Sequence, residues 1–204
     1  KVAMAEHAAR MAGEKLVGLP PAIAAAAMAD STRWLLPGLT RDYGRWVDEV
    51  LAQQSREPRR VVGALSSEVL AKLAAKQIIP ASGAITVDQG EITHMQRQTK
   101  QKAGKTLDLI DIKRIPELLA APEAVLFDKK DSHLVYVFPA SGDPRKGKLV
   151  VIIDSPAKTM IPGGGRLVVK TNSVVTSGLV PLQALKDANI YERLDGNGDL
   201  GALT

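Results

Sequence analysis

The 204-residue chain contains no cysteine. Disulfides and thiolate metal sites are therefore excluded, and the chain suits a reducing compartment without requiring one. Aromatic residues make up only 3% of it, so its cores must be built from Ala, Val, Leu and Ile. No apolar run approaches the roughly 18–20 residues that span a bilayer. The nearest, residues 16–28, is interrupted by Gly18, Pro20 and Pro21. No signal-peptide pattern of charged, apolar and small residues opens the chain. A start at Lys1 without Met suggests a processed chain or a piece of a longer one.

What is present is ordinary for a globular protein: 45% hydrophobic and 24% charged residues. The length suits one or two domains with a core that needs no staples. Net charge is +5 with a pI near 9.5. That excess fits a polyanionic partner such as RNA, DNA or anionic lipid, and equally fits a solvated basic surface.

Residues 1–79 read as helical. Residues 2–16 are rich in Ala, Glu, Lys and Met, which are good helix formers. Pro20 and Pro21 break that helix, and Pro21 can open the next one over residues 22–35. Pro37-Gly38-Leu39-Thr40 reads as a turn, with Thr40 as an N-cap. Tyr43, Trp46, Val47 and Val50 then form one apolar helical face. Residues 55–60 read as a charged linker. Ser66-Ser67-Glu68 caps a helix with the face Val69, Leu70, Leu73 and Ala74. His7 has no neighbour of catalytic type and reads as a surface or packing histidine.

The pattern changes at residues 78–83, which predicts a boundary between a helical region, 1–79, and a second domain, 80–204. Ile85-Thr86-Val87 reads as a short strand. Residues 90–103 read as a helix ended by Gly104, and Asp108 or Asp111 begins another that Pro122 stops. From there the period becomes two: residues 124–128, 134–138, 148–154 and 166–176 are predicted strands with short connections, hence an antiparallel meander. Residues 181–188 read as a short helix and 194–204 as a tail. The fold class is α+β: an N-terminal helical region, then two helices packed on a four-stranded antiparallel sheet.

The stretch 90–105 carries the densest chemistry. His94, Arg97 and Lys100 lie at i, i+3 and i+6, so successive pairs are neighbours on a helix surface. A histidine can move a proton, and nearby cations can stabilise a phosphate in its transition state. A solvated basic face has the same spacing. Thr171, Asn172, Ser173, Thr176 and Ser177 crowd the last strand. Thr171 and Ser173 share a face by the period of two, and such hydroxyls could meet a phosphate or simply reflect β-propensity. His133, beside Lys129 and Lys130, is either a second proton-transfer group or a turn residue. Asp128, Asp131 and Asp154 could be metal ligands of a nuclease, and Asp154 with Lys158 faintly matches metal-dependent nuclease spacing, but no second acidic group is positioned beside them. No Gly-Lys-Ser/Thr follows Pro162-Gly163-Gly164-Gly165, so it is not a nucleotide phosphate loop. Asp195-Gly196-Asn197-Gly198-Asp199 resembles the start of a calcium loop but reads as a polar tail.

The run 85–176 resembles the phage-type nuclease domains of the barnase–EndoU–colicin–RelE superfamily. The matching features are the histidine-bearing helix Ile92-Thr93-His94-Met95-Gln96-Arg97, the segment Arg114-Ile115-Pro116-Glu117-Leu118-Leu119 continuing to Val125, and the late strand Val174-Val175-Thr176-Ser177. The resemblance implies two helices followed by a four-stranded antiparallel sheet. It also implies a toxin-like ribonuclease that needs neither metal nor other cofactor, passing phosphorus from the 5′-oxygen to the 2′-oxygen. His94 would transfer the proton, Arg97 or Lys100 would stabilise the phosphorane, and Ser173 or Thr176 would contact the phosphate. Lys102, Lys105 and Thr171 would bind RNA, and Glu91 is a further candidate acid or base. The implied partners are RNA, tRNA among the candidates, phage head or portal proteins and an inhibitor protein, with no membrane. The implied setting is a phage virion or the bacterial cytoplasm. A non-catalytic nucleic-acid-binding or structural module of the phage particle is the alternative.

Overall fold

The computed structural model describes residues 2–97, 101–160, 164–196, 198 and 200. Helix α1 (Val2–Lys15) is followed by a 3-10 turn, Leu16–Gly18, and by α2 (Pro21–Leu51), which has proline at its first turn. The expected turn at Pro37 to Thr40 does not form, and α2 runs on for 31 residues. Pro37 removes one amide donor, but burial on both sides of it overrides that local cost. Leu35, Leu39, Tyr43, Trp46 and Val47 are all nearly or fully buried. Gly38 lies so close to α1 that a Cβ there would overlap the side chain of Ala9. Thr40 is not an N-cap; its Oγ1 donates to Leu36 O at 2.9 Å, back along the same helix.

Helix α3 (Ser67–Ala75) begins as expected, with Ser66 Oγ accepting from Val69 N at 3.2 Å. Helix α4 (Gln89–Met95) is shorter than the predicted 90–103. Helices α5 (Leu109–Lys113) and α6 (Ile115–Ala120) follow. Asp108 caps α5 by accepting from Ile110 N at 2.8 Å.

The strands are β1 (Arg59–Ala64), β2 (Ala84–Asp88), β3 (Ala124–Asp128), β4 (His133–Pro139), β5 (Lys146–Met160), β6 (Arg166–Val180) and β7 (Tyr191–Asp195). They form one seven-stranded sheet in the order β1-β2-β6-β5-β4-β3-β7. The fold is thus α+β, but its sheet is not a four-stranded antiparallel one. The four expected strands are consecutive neighbours in it, β1 and β7 are added at the edges, and β2 joins β6 in parallel. The 55–60 linker and the 194–204 tail both hide strand residues. The first 79 residues are not wholly helical, because β1 pairs with β2 across the expected boundary.

One face of the sheet carries Ile85, Val87, Tyr136, Phe138, Leu149, Val151 and Val174, under Tyr43 and Trp46 of α2 and Ile92 and Met95 of α4. Tyr43 and Tyr136 are buried there, which raises the pKa of both phenols. On the other face Val61 and Ala84 meet Ala9, Leu16 and Leu39. Farther along that face, Leu126, Val135 and Val137 meet Leu185 from a second 3-10 turn, Leu182–Leu185.

Strands β5 and β6 are each 15 residues long, longer than any other strand. Their register shifts between Ile152 and Ser155, and Asp154 there has φ 57°. Such a bulge bends a hairpin. Beyond it the β5–β6 arm reaches over β1 and β2, where Lys158 and Arg166 line a groove with Arg59 and Asp88.

Candidate functional site

Helix α4 is seated by Ile92 and Met95, both fully buried in the main core. Gln89 N donates to Pro58 O at 2.8 Å, which ties the start of α4 to the start of β1. Glu91 and His94, three residues apart and both half-buried, are one turn apart on this helix. Arg97 follows, exposed, with its amide donating to His94 O at 3.3 Å. Lys102 and Lys105 are exposed. Arg97, Lys102 and Lys105 form no ion pair among the described residues. Lys100 lies outside the described residues, as do Pro162 and Gly163 of the glycine-rich loop.

Of the late-strand hydroxyls, Thr171, Ser173 and Thr176 do not lie on the face that α4 covers, whereas Ser177, paired with Leu149, does. Ile85 pairs with Asn172 and Val87 with Val174, so Thr86, paired with Ser173, points the other way together with Thr171. A register shift between Val150 and Val151 then sets Thr176 beside Val150, again on the face away from α4. The expected meeting of Ser173 or Thr176 with His94 on one phosphate is therefore corrected: the sheet stands between them. Ser173 is also buried. Thr171 is only 2% exposed, and its hydroxyl is bonded to that of Thr86 at 2.9 Å. Asn172 has a structural role: its Nδ2 donates to Ser82 O at 2.7 Å and Ala84 O at 3.0 Å.

A groove missed by the sequence reading begins at Glu91. Its first part, about 630 Å³, is lined by Arg59, Asp88, Glu91, Lys158 and Arg166 among others. Its second part, about 450 Å³, shares Pro58, Arg59 and Lys158 with the first. There the walls are Val17, Val61 and Val169, and Thr86 and Thr171 lie at the floor. The groove thus runs from the start of α4, around the end of β2, onto the sheet face that packs against α1. Asp88 receives Arg59 through two hydrogen bonds, Nε to Oδ1 at 2.5 Å and Nη2 to Oδ2 at 3.1 Å. Lys158 and Arg166 are exposed and make no ion pair or hydrogen bond among the described residues. No local signal marks this assembly: Arg59, Lys158 and Arg166 belong to three different strands, β1, β5 and β6.

The remaining candidates lie elsewhere. His133 opens β4 and alternates with Leu134 and Tyr136 of the main core, so it too points away from α4. His7 lines a cavity of about 250 Å³ with Arg10, Arg45, Arg60 and their carboxylate partners. Asp128 Oδ1 accepts from Lys130 N and Asp131 N at 2.9 and 3.2 Å, closing a turn. Asp154 Oδ1 accepts from Ala81 N at 2.8 Å. Among the described residues no group of three or more His, Asp or Glu is arranged to hold a metal ion. Of the 195–199 stretch, Asn197 and Asp199 lie outside the described residues, and Gly196 and Gly198 are tied down: Arg193 Nη2 donates to the carbonyls of both, each at 2.7 Å. No helix among the described residues is long and apolar enough to cross a membrane.

No curated protein and no solved structure matches the chain. A family model does, over a span that starts at the first residue of β1 and ends just beyond β4. It takes in Arg59, Asp88, Glu91, His94 and Arg97 and leaves out β5 and β6. Over residues 59–141 the chain is similar to the family described as phage-Barnase-EndoU-ColicinE5/D-RelE like nuclease3.

Proposed function

We propose that this chain is a metal-independent endoribonuclease, a toxin-like domain of a phage structural protein working in the virion or the bacterial cytoplasm. The observation that carries the reading is the nuclease-family match over residues 59–141, because that span holds Glu91, which lines a groove with Arg59, Lys158 and Arg166, and His94 one turn farther along α4. The phage setting is supported by the family's description alone. Its partners would be RNA, with tRNA a candidate, phage head or portal proteins, and an inhibitor protein.

Glu91 takes the proton of a ribose 2′-hydroxyl, and the 2′-oxygen attacks the adjacent phosphorus. The bond from phosphorus to the 5′-oxygen breaks, and His94 gives that oxygen a proton. The products are a 2′,3′-cyclic phosphate and a 5′-hydroxyl. Arg97, together with the cations of the groove, stabilises the charge that builds on phosphorus. Lys102 and Lys105 extend the positive surface along the strand, and Lys100 falls in the same stretch of sequence. Thr171, Ser173 and Thr176 have no catalytic step in this scheme, because they face away from α4.

The test is incubation of the protein with total RNA in EDTA, beside His94→Ala. Cleavage that persists in EDTA and disappears in the variant is expected. A second reading, a non-catalytic nucleic-acid-binding module, is favoured by the groove's lining, which includes neither His7 nor His133. It predicts RNA retention on a filter without cleavage. DNA cleavage that needs magnesium would replace both.

A further inference from the structure

The groove divides by chemistry. At the end near Glu91, Lys158 and Arg166 are exposed cations without partners among the described residues, and Arg59 is held in place by Asp88. At the other end Val17, Val61 and Val169 line it, together with Glu14, whose carboxylate accepts from Arg10. The Thr86 and Thr171 hydroxyls at the floor are turned toward each other rather than toward the cavity. A slot walled by three valines beside two cations without partners among the described residues suits a flat ring tethered to an anion. A bulk polyanion would use the cations and leave the slot idle.

We infer that this groove is a nucleotide subsite for single-stranded RNA, with an unstacked base between Val17, Val61 and Val169 and the attached phosphodiester at Lys158 and Arg166. The assignment rests on the nuclease reading and adds a substrate class to it. A base inside a duplex is stacked and paired and cannot enter such a slot, so the subsite selects single strands. The β5–β6 arm, which lies outside the span matched by the family model, supplies both free cations and Val169. The arm is therefore the element that adapts this chain to its strand. It also sets the direction of binding: the phosphate end of the nucleotide faces Glu91, and α4 continues from there to His94.

The test is fluorescence anisotropy on the full chain, with a labelled single-stranded RNA heptamer 2′-O-methylated at every ribose so that it cannot be cut. Lys158→Ala/Arg166→Ala should weaken binding at least tenfold. It should also flatten the slope of log affinity against log salt by about 1.4, the value for two lost single-strand phosphate contacts. Val169→Trp fills the slot and should weaken RNA binding at least tenfold while changing the affinity for an abasic phosphodiester oligomer less than twofold. Lys72→Ala/Lys130→Ala, exposed lysines away from the groove, should change neither. Thermal midpoints equal to that of the parent establish that the variants fold, and Arg166→Gln alone serves if the double variant does not. Binding unchanged in the arm variants, or a duplex bound as tightly as the single strand, overturns the subsite. The nuclease reading fails separately: intact RNA in the cleavage assay with the expected anisotropy results leaves the subsite standing. Cleavage with an unchanged KM in Lys158→Ala/Arg166→Ala sinks the subsite alone.

Discussion

The hydroxyls of Thr86 and Thr171 are bonded to each other across 2.9 Å, where β2 and β6 run in parallel. Both side chains are almost wholly buried. A buried hydroxyl that loses its partner keeps its desolvation cost, roughly 1–3 kcal/mol, whereas removing both partners can be nearly neutral. Thr86→Val and Thr171→Val should therefore each lower unfolding stability by about 1–2 kcal/mol, and the double variant by less than the sum. Urea denaturation of the four proteins in this cycle measures the coupling. Strict additivity would show that the pair contributes nothing as a pair.

A second relationship fixes β1 to α2. Arg60 Nε donates to Asp42 Oδ2 at 3.1 Å, its Nη1 donates to Glu57 Oε2 at 2.5 Å, and its guanidinium lies 5.5 Å from the Trp46 ring centroid. Arg60 and Asp42 are both buried. Removing one member of such a pair strands the other charge, at a cost of about 3–5 kcal/mol. Arg60→Ala should cost about 3 kcal/mol in urea denaturation, near the lower limit because Glu57 is half-exposed and Arg45 also approaches Asp42. Arg60→Met with Asp42→Leu should recover most of the loss. A stability unchanged in Arg60→Ala would mean that water reaches Asp42 freely.

These two features also show where the sequence was readable. Tyr43, Trp46, Val47 and Val50 announce a helix face, and all four are buried. Ser66 and Asp108 announce helix starts, and both cap. Strands β3 and β4 follow the period of two closely. Strand β1 was hidden because Arg59 and Arg60 open it, and a buried arginine has no signature until its partner in α2 is in place. Strand β7 was hidden because Glu192 and Arg193 resemble tail residues, whereas Arg193 in fact holds the Gly196 and Gly198 carbonyls. The parallel pairing of β2 with β6 joins residues more than eighty positions apart, and no local pattern encodes it.

For the site, the placement of His94 on a helix was legible and the hydroxyl assignment was not. Period-two alternation correctly puts Thr171 and Ser173 on one face. Which face depends on the side that α4 packs on, and for Thr176 on a bulge near Val150. The groove depends on the bend at Asp154, a non-glycine residue with φ 57°, so composition gives no warning of it.

Alkaline pH should unfold this protein through its buried tyrosines. Burial raises the pKa of Tyr43 and Tyr136, and Asp195 adds to the shift at Tyr136. Phenols in the unfolded chain lose protons near pH 10. The folded pKa values are higher, so the stability linked to these groups is fully present below about pH 10 and is lost as pH rises beyond it. The Tyr43 hydroxyl is also buried without a hydrogen-bond partner among the described residues. Tyr43→Phe should therefore raise stability at pH 7 by about 1 kcal/mol and make the decline above pH 10 less steep. Thermal midpoints from pH 7 to 11 check both effects; a lower midpoint for Tyr43→Phe at pH 7 would mean that the hydroxyl has a partner after all.

The division of labour between Glu91 and His94 can be separated by the leaving group. General acid or base catalysis contributes about 10²–10⁴-fold, so Glu91→Gln and His94→Ala should each slow RNA cleavage by that order in single-turnover assays. Two groups acting in one step are not additive, and the double variant should lose less than the product of the two. A nucleoside 3′-(4-nitrophenyl phosphate) releases a phenolate that needs no proton. On it His94→Ala should approach the parent rate, because only the acid has become dispensable, while Glu91→Gln should stay slow, because the 2′-hydroxyl still needs a base. The reverse pattern would exchange the two roles, and equal rescue of both variants would remove Glu91 from the reaction. The same substrate has a single nucleoside and a single phosphate, so it also reports whether Lys158 and Arg166 act at the reacting phosphate or at one further along the strand.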